Sequence, residues 1–547
     1  MKLISIKSYS HLEVYEKDWN KITEENENTN PFIEYDFVYN WWKILGSKED
    51  VEILAVQDHN RIIAIFPFQF KKTWFGYLCQ FIALGEANYI DIIVRRSDAS
   101  RAIMFALDEL IRRKKSIVFY LHGLLESTNT PYALSQYVNA RKMKERHFSI
   151  VTPFINLKDL DFNVYMKSRK KLHGMDRRDK KLKVLGDVSL QVIEANEINE
   201  IVRLHKSRWE KKIDTSGFEA KSKQAFFSHL AGIQKGNFSV HLSTLQVQDE
   251  KVAFIYGFIC RSRYISYVLG HDSDFDCYGP GRLLIKENIN QLILNGFHKL
   301  DMSIGYEPYK MEWNTDVDYT RKLIFSTNTI RAKLFSNILW LKDFLISTLK
   351  KYRPVVIFRR NTMGKIKYLL RQKGDLNYWL SCINKRLLPF IYHKKTYVIS
   401  KLSKHITAEL EEVRFSRFAP DFVFESKWKR KEILQKIYRG YTGYYSKDIH
   451  EAFWINENVI RLDDIEVVIN LKKRSIYIRD WKKENLQQIM EFVNSNYNGK
   501  EVYLSVNKKD KISVNLLDQL GFQWIETISF TRILGKAIIR RKEAQRK

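Results

Sequence analysis

The sequence predicts an α/β (α+β) chain of several domains, built from mixed sheets flanked by helices. Three observations lead there. At roughly 100–200 residues per domain, 547 residues make about three folding regions. Short β-rich runs alternate with helical periods along most of the chain. Finally, 45% apolar and 14% aromatic residues, with only 22 Gly and 9 Pro, supply cores and long regular elements. That composition excludes low-complexity disorder over most of the length.

The first region, residues 1–152, opens with strand runs at Val51–Val56 and Arg61–Phe66. Asp58-His59-Asn60 between them reads as a hairpin turn. A helical period at Ala102–Arg113 precedes a buried-strand pattern at Ser116–Leu121. Residues 153–328 repeat this grammar. A basic helix is expected at Val164–Leu185, then helices at Ile198–Lys211 and Lys223–Ile233. Strands follow at Ser239–Gln246, Lys251–Arg261 and Tyr264–Leu269. Beyond a Gly-Pro-Gly turn, a helix at Leu283–Asn295 stops at Gly296, and a strand runs Lys299–Ile304. Residues 329–393 form a basic connector. Its stretch Arg331–Lys373 is helical in pattern, has twelve Lys/Arg against Asp343 alone, and is divided by Pro354. Residues 394–547 return to strands, at Thr396–Ile399, Ile465–Ile469 and Glu501–Val506, and end in a charged tail, Arg540–Lys547, expected to fray.

Net charge is +29, a field that attracts polyanions: nucleic acid, anionic lipid or phosphorylated small molecules. Cys79, Cys260, Cys277 and Cys382 have neither CxxC nor metal-ligand spacing, so buried thiols in a reducing compartment, and no metal, are expected. Cys277 lacks the histidine motif that accompanies a cysteine nucleophile. The N-terminal residues Met1–Ser8 hold no apolar core of signal-peptide length, and no run of about twenty residues is free of charge. A cytoplasmic protein is expected, with peripheral contact at the inner face of the membrane as an option.

Chemistry concentrates at Tyr278-Gly279-Pro280-Gly281-Arg282, between the strand Tyr264–Leu269 and a helix. Two glycines allow close backbone approach to an anion. The helix start adds N–H donors and the positive dipole end, and Arg282 adds a cation. Together these suit a pyrophosphate. The alternative is an ordinary turn before a helix.

Downstream stand Gly296, Asp301, Gly305, Glu307, Tyr309, Lys310 and Trp313, in that order. Upstream are Arg169-Lys170-Lys171, Arg177-Arg178, Leu182 and Gly186, then Leu204, Arg208 and Trp209, and near the start Asn30-Pro31-Phe32 and Trp41. In this order the motifs resemble acetyltransferases of the CelD/BcsL type, linked to cellulose and other exopolysaccharide biosynthesis. The resemblance covers residues 1–328. That family is similar to GNAT and FemAB-like enzymes with two tandem GNAT-like halves. It implies direct acyl transfer from acyl-CoA, acetyl-CoA in the simplest case, to an amine, with no covalent enzyme intermediate. Val268, Leu269, Gly279, Pro280, Gly281, Arg282 and Leu283 are the implied acyl-CoA contacts. One position departs from the GNAT phosphate-loop pattern: Asp276 stands where Arg or Gln is usual.

Transfer requires deprotonation of the amine, stabilisation of an oxyanion and departure of a thiolate. Asp301, Glu307 and His271 are the candidate bases. Asp301 lies on a buried-looking strand, where it is either a base or a carboxylate holding a backbone turn. Glu307 is either catalytic or the i,i+3 ion-pair partner of Lys310. Tyr309 either protonates the leaving thiolate or packs, and His271 reads as a loop residue. The basic helix, with Arg169, Arg177 and Arg178, either grips an anionic substrate such as a nucleotide-linked sugar or is a solvated face. Lys310 and Trp313 complete the candidate substrate set.

The stretch Arg331–Lys373 interleaves Trp340, Phe344, Tyr352 and Phe358 with cations, as in a membrane-surface helix or a nucleic-acid contact; membrane contact is preferred. In the last region, Leu516-Leu517-Asp518-Gln519-Leu520-Gly521-Phe522 resembles the end of a GNAT domain. Arg479–Asn485, where a phosphate loop belongs, has no glycine, so this domain reads as degenerate. Three functions follow: an acyl-CoA-dependent N-acyltransferase acting on an amino sugar, nucleotide sugar or glycan precursor; a FemAB-like transferase using aminoacyl-tRNA; or a non-enzymatic basic scaffold for membranes or polyanions.

Overall fold

The computed structural model describes residues 1–213, 220–233, 236–352, 392–403, 414–418, 430–446, 451–533 and 536–544. The chain forms two compact units, Met1–Tyr368 and Leu369–Lys547. Each is mixed α/β.

The first unit is built on one thirteen-stranded sheet. Its strands are β1 (Lys2–Ile6), β2 (Val51–Asp58), β3 (Arg61–Thr73), β4 (Gly76–Phe81), β5 (Ile93–Val94), β6 (Ile117–Leu125), β7 (Arg146–Asn156), β8 (Val188–Ile193), β9 (Ser239–Val247), β10 (Glu250–Cys260), β11 (Arg263–His271), β12 (Lys299–Asp301) and β13 (Asp316–Ser326). The order is β1-β2-β3-β4-β6-β13-β7-β12-β11-β10-β9-β8, with β5 on β3. Pairing is antiparallel except at β4/β6 and β11/β12. A parallel pair needs a crossover. The helices Ala99–Lys114 and Pro280–Leu294 provide one each.

The two halves of this unit exchange their last strands. β7, from the first half, lies beside β12 of the second, while β13, from the second, lies beside β6 of the first. β7 and β13 then pair along Asp316–Ile324 and close the sheet across the middle. Phe119 on β6 stacks on Phe325 of β13 with ring centroids 4.5 Å apart. Neither half therefore has a complete sheet of its own, and the 152/153 division falls inside β7.

The parallel pairs differ in what lies at their ends. In the first half the space beside β4 and β6, lined by Phe81, Ile90, Tyr120 and His122 among others, measures about 10 Å³. That is barely room for one water. His122 is pushed down to about 4 by burial, with Lys322 adding to the shift and Asp343 opposing it. Its unfolded value is near 6.5, so the unfolded chain binds the extra proton between about pH 6.5 and 4. Stability held above pH 6.5 is lost as pH falls through that window. His122→Gln is expected to gain about 2–3 kcal/mol relative to wild type between pH 7 and pH 4, read by denaturant unfolding at both pH values.

The second unit has an eight-stranded sheet and a separate hairpin. The strands are β14 (Tyr392–Leu402), β15 (Ser416–Arg417), β16 (Tyr441–Ser446), β17 (Glu451–Glu457), β18 (Val459–Leu462), β19 (Val467–Asn470), β20 (Ser475–Arg479), β21 (Glu501–Asn507), β22 (Phe522–Ile533) and β23 (Lys536–Glu543). β20 and β21 are its parallel pair, bridged by the helix Leu486–Asn496. Beside them is a cavity of about 650 Å³ lined by Tyr397, Tyr477, Ser505, Arg479 and Lys483, among others. Two of its cations are already matched, Arg479 by Asp463 and Lys483 by Asp510 at 3.3 Å.

Three local expectations change, and a fourth is met only in part within the described residues. The basic helix is broken into Phe162–Ser168 and Met175–Lys183, because Arg169 leaves helical geometry (φ −91, ψ 74) and the Ser168 hydroxyl donates to the Tyr165 carbonyl at 2.6 Å. The strand expected to reach Ile304 ends at Asp301. The tail is not frayed over Arg540–Glu543, which pairs with Glu526–Ser529. The connector helix runs Ile330–Lys351, whereas Pro354, Phe358 and Cys382 lie outside the described residues.

Candidate active site

β11 and β12 pair only at Arg263–Lys299, Tyr264–Leu300 and Ile265–Asp301. β11 then continues to His271 while β12 stops. Ser303 ends β12: at φ 65 it turns the chain, its N–H donates to Asp301 Oδ1 at 2.6 Å and its hydroxyl donates to the Ser266 carbonyl at 2.8 Å. β11 also bulges at this level. Tyr256 faces Val268, but the next residue, Gly257, faces Ser266, leaving Tyr267 as the extra residue. A bulge bends its strand and re-aims its side chains. The Tyr267 hydroxyl donates to the Glu86 carbonyl at 2.7 Å, so the bent strand is held by the first half. Val268 and Leu269, both half-buried, lie past the parting.

The chain leaves β11 through a short turn capped by the buried Asp272, which accepts from Asp274 N–H at 3.0 Å. Gly279 sits at φ 66, ψ 46, and Pro280 opens the helix at its first position. The first turn offers fewer donors than expected. Gly279 N–H donates to the Asp276 carbonyl, Arg282 N–H donates to the Gly279 carbonyl, and proline has no N–H. Gly281 N–H is left as the donor without an acceptor among the described residues.

The cation at this turn is Arg178. A Cβ on Gly279 would lie 2.8 Å from Arg178 Nη1, so glycine serves both the positive φ and the approach of the guanidinium. Arg178 comes from the helix Met175–Lys183, tied to Pro280–Leu294 by Lys286 and Asp176 at 3.3 Å. It supplies the charge that Asp276 does not. Asp276 instead pairs with His271 Nε2 at 2.9 Å, and His271 Nδ1 faces Gly281. Arg282, expected as the phosphate cation, pairs with Glu312 at 2.6 Å. Pro280 and Leu283 are buried in the helix packing.

Asp301 is 1% exposed and fully engaged. Oδ1 accepts from the Tyr89 hydroxyl at 2.8 Å and from Ser303 N–H, and Oδ2 pairs with Arg263. Of its two readings, the geometry favours the carboxylate that holds a turn. Burial, together with the Asp301 charge, pushes the Tyr89 phenol well above its ordinary range. Lys310 is also buried: its ammonium donates to the Ile304 carbonyl at 2.8 Å and pairs with Glu307 at 2.7 Å. That is the ion-pair reading of Glu307, whose carboxylate is half exposed and folds over Gly305. Tyr309 is half-buried at the start of the short helix Lys310–Trp313. Trp313 is fully buried; its carbonyl accepts from the Tyr165 hydroxyl, and Arg169 lies over the Tyr165 ring at 4.8 Å. Arg177 is exposed.

The structure thus brings Gly279, Gly281, Arg178 and His271 together where β11 leaves β12, with Val268 and Leu269 along the approach. Sequence reasoning missed Tyr89, Arg263, Ser266, Tyr267 and Ser303. Only Ser303 left a signal: Asp301-x-Ser303 has the spacing of a side chain bonding a backbone N–H two residues on. Cys79 and Cys260 are buried, and burial pushes the Cys260 thiol up to about 12, so neither is poised as a nucleophile.

In this half β12 stops while β11 continues into a glycine turn and a crossover helix. Residues 169–311 match the model of the acetyltransferase (GNAT) domain. Through that domain the chain is an enzyme of GNAT acyltransferase chemistry, with an acyl-CoA as co-substrate. Among solved structures it is similar to FemX (11% identity, 62% of this chain and 100% of that one, TM-score 0.42). It is similar also to a conserved protein of unknown function from Bacteroides thetaiotaomicron (14%, 57% and 97%, TM-score 0.37) and to a tandem GNAT protein from the clavulanic acid biosynthesis pathway (8%, 59% and 98%, TM-score 0.35). No curated protein matches the chain.

Proposed function

We propose that the second half of the first unit moves an acyl group, acetyl in the simplest case, from acyl-CoA to an amino group of an amino sugar, nucleotide sugar or glycan precursor. The observation that carries this is Arg178 set against the left-handed Gly279 turn, beyond the parting of β11 and β12. In the first half, the space beside the corresponding parallel pair, β4 and β6, measures only about 10 Å³ among the described residues. In the transfer, the amine nitrogen attacks the thioester carbon, the C–S bond breaks, the amine loses a proton to a base and the thiolate takes one up. Asp301, fully engaged, is a poor base here; Glu307 and His271 remain the candidates, and Tyr309 remains the candidate donor to the thiolate. A place in exopolysaccharide or cell-envelope biosynthesis, on the cytoplasmic side, rests on the CelD/BcsL resemblance.

The test is an acceptor screen: the full chain, acetyl-CoA, and glucosamine, UDP-glucosamine and chitosan oligomers, with release of free thiol as readout. Thiol release dependent on one of these amines is expected. Binding of acetyl-CoA with no release for any amino sugar, while a lysine or polyamine acceptor reacts, overturns the acceptor class. The net charge of +29 favours a second reading, an aminoacyl-tRNA donor. It requires tRNA binding that weakens steeply with salt, and acyl-CoA binding without tRNA binding removes it.

A further inference from the structure

The helix Ile330–Lys351 has two apolar faces, and the sheet covers one of them. On the inner side Ala332 and Ser336 are buried, and Phe335, Leu339 and Trp340 pack against the cluster of Leu78, Val118 and Ile324. Phe335 stacks on Phe75 at 5.3 Å. Asp343, the helix's one acid, is consumed on this side by the Tyr120 hydroxyl at 2.9 Å and by Lys322 at 3.1 Å. These contacts anchor the helix without its outer side.

On the outer side Leu334, Ile338, Leu341, Leu345 and Leu349 are each 46–52% exposed. Their spacing of four, three, four and four residues makes one straight stripe on an α-helix. At about 100° per residue the stripe points directly away from the Ala332–Ser336–Asp343 face. Ile330 and Tyr352 extend it at both ends, at 86% and 60% exposed. Twenty-two residues at 1.5 Å each give it a length of about 33 Å. Isolated exposed leucines are common, but a continuous apolar stripe of this length in water marks a binding face. Arg331 and Lys342 flank it on one side and Lys333 on the other, and no acid on the helix opposes them.

We infer that this stripe is a docking face for an anionic lipid membrane. An apolar ridge between cations is the arrangement that seats hydrocarbon side chains below phosphate headgroups while the cations remain among them. Nucleic acid fits worse, because five aliphatic side chains occupy the centre of the face, where phosphates would need donors. The helix lies on the surface and does not cross it: among the described residues no helix is long and apolar enough to span a bilayer, and this one is fixed to the sheet along its inner side.

The test is flotation of the full chain with phosphatidylcholine vesicles, with or without 30% phosphatidylglycerol. Wild type is expected to float with the anionic vesicles and at least tenfold less with the neutral ones. The triple variant Leu334→Gln, Leu341→Gln, Leu345→Gln is expected to lose at least tenfold of that binding while its melting curve and acetyl-CoA titration stay unchanged. Lys333→Glu with Lys342→Glu is expected to abolish the preference for anionic vesicles. Wild type that does not float, or a triple variant that floats as wild type does, overturns the inference. So does a wild-type dimer that the leucine substitutions convert to a monomer with no vesicle binding in either form, since a second copy then covers the stripe.

Discussion

Asp301→Ala is expected to destabilise the first unit by about 3–5 kcal/mol, the cost of removing one partner of a buried ion pair. Arg263 would keep its charge with no carboxylate, and the Tyr89 hydroxyl and Ser303 N–H would lose their acceptor. Buried donors left unsatisfied carry their full desolvation cost. Tyr89 belongs to the first half and Arg263 and Asp301 to the second, so the loss also loosens the seam between the halves. Asp301→Asn keeps the shape and one acceptor but leaves Arg263 uncompensated, and most of the effect is expected to remain. A double variant, Asp301→Leu with Arg263→Met, removes both charges and is expected to recover much of the loss. Denaturant unfolding of all three checks this. A single Asp301→Ala within 1 kcal/mol of wild type contradicts the structural role.

Arg178→Glu is expected to weaken acyl-CoA binding by about 10–100-fold, the worth of one charge-assisted contact at about 1.5–3 kcal/mol. The reversal puts a negative charge against the glycine turn, beside the position proposed for the pyrophosphate. Folding should be untouched, since among the described residues no carboxylate pairs with Arg178. Arg177→Glu is the control: it is exposed on the same helix, makes the same change in net charge, and is expected to alter binding less than about threefold. Equal losses in both would mean that the general field of the +29 chain, not the local contact, attracts the ligand.

How far the sequence revealed this arrangement depends on the range of each interaction. The strand-turn-helix at 263–294 was legible because its signals are local: an apolar run, then glycines at fixed offsets, then a helical period ended by Gly296. The exchange of β7 and β13 left no trace, since pairing Ile324 with Arg146 and with Tyr120 depends on residues about 180–200 positions apart. The sequence pattern runs three residues past β12 because Met302-Ser303-Ile304 continues an apolar run, and only the hydrogen bonds of Ser303 stop the strand. The part of β23 from Arg540 onward reads as a frayed tail because Lys536–Glu543 is exposed at every position, so no buried face marks it as a strand. The sequence leaves Asp301 two roles because its partners, Tyr89 and Arg263, are 212 and 38 residues away. Arg178 stands among the candidate substrate contacts in the sequence, yet its meeting with Gly279 joins residues about 100 positions apart.

Calorimetric titration of the full chain with acetyl-CoA, and with longer acyl-CoAs, bears most directly on whether the β11–helix opening is an acyl-CoA site. Saturable binding is expected, lost at least tenfold in Arg178→Glu and kept in Arg177→Glu. No binding of any acyl-CoA, or binding that Arg178→Glu leaves unchanged, would show that the Gly279 turn is not where the co-substrate is held.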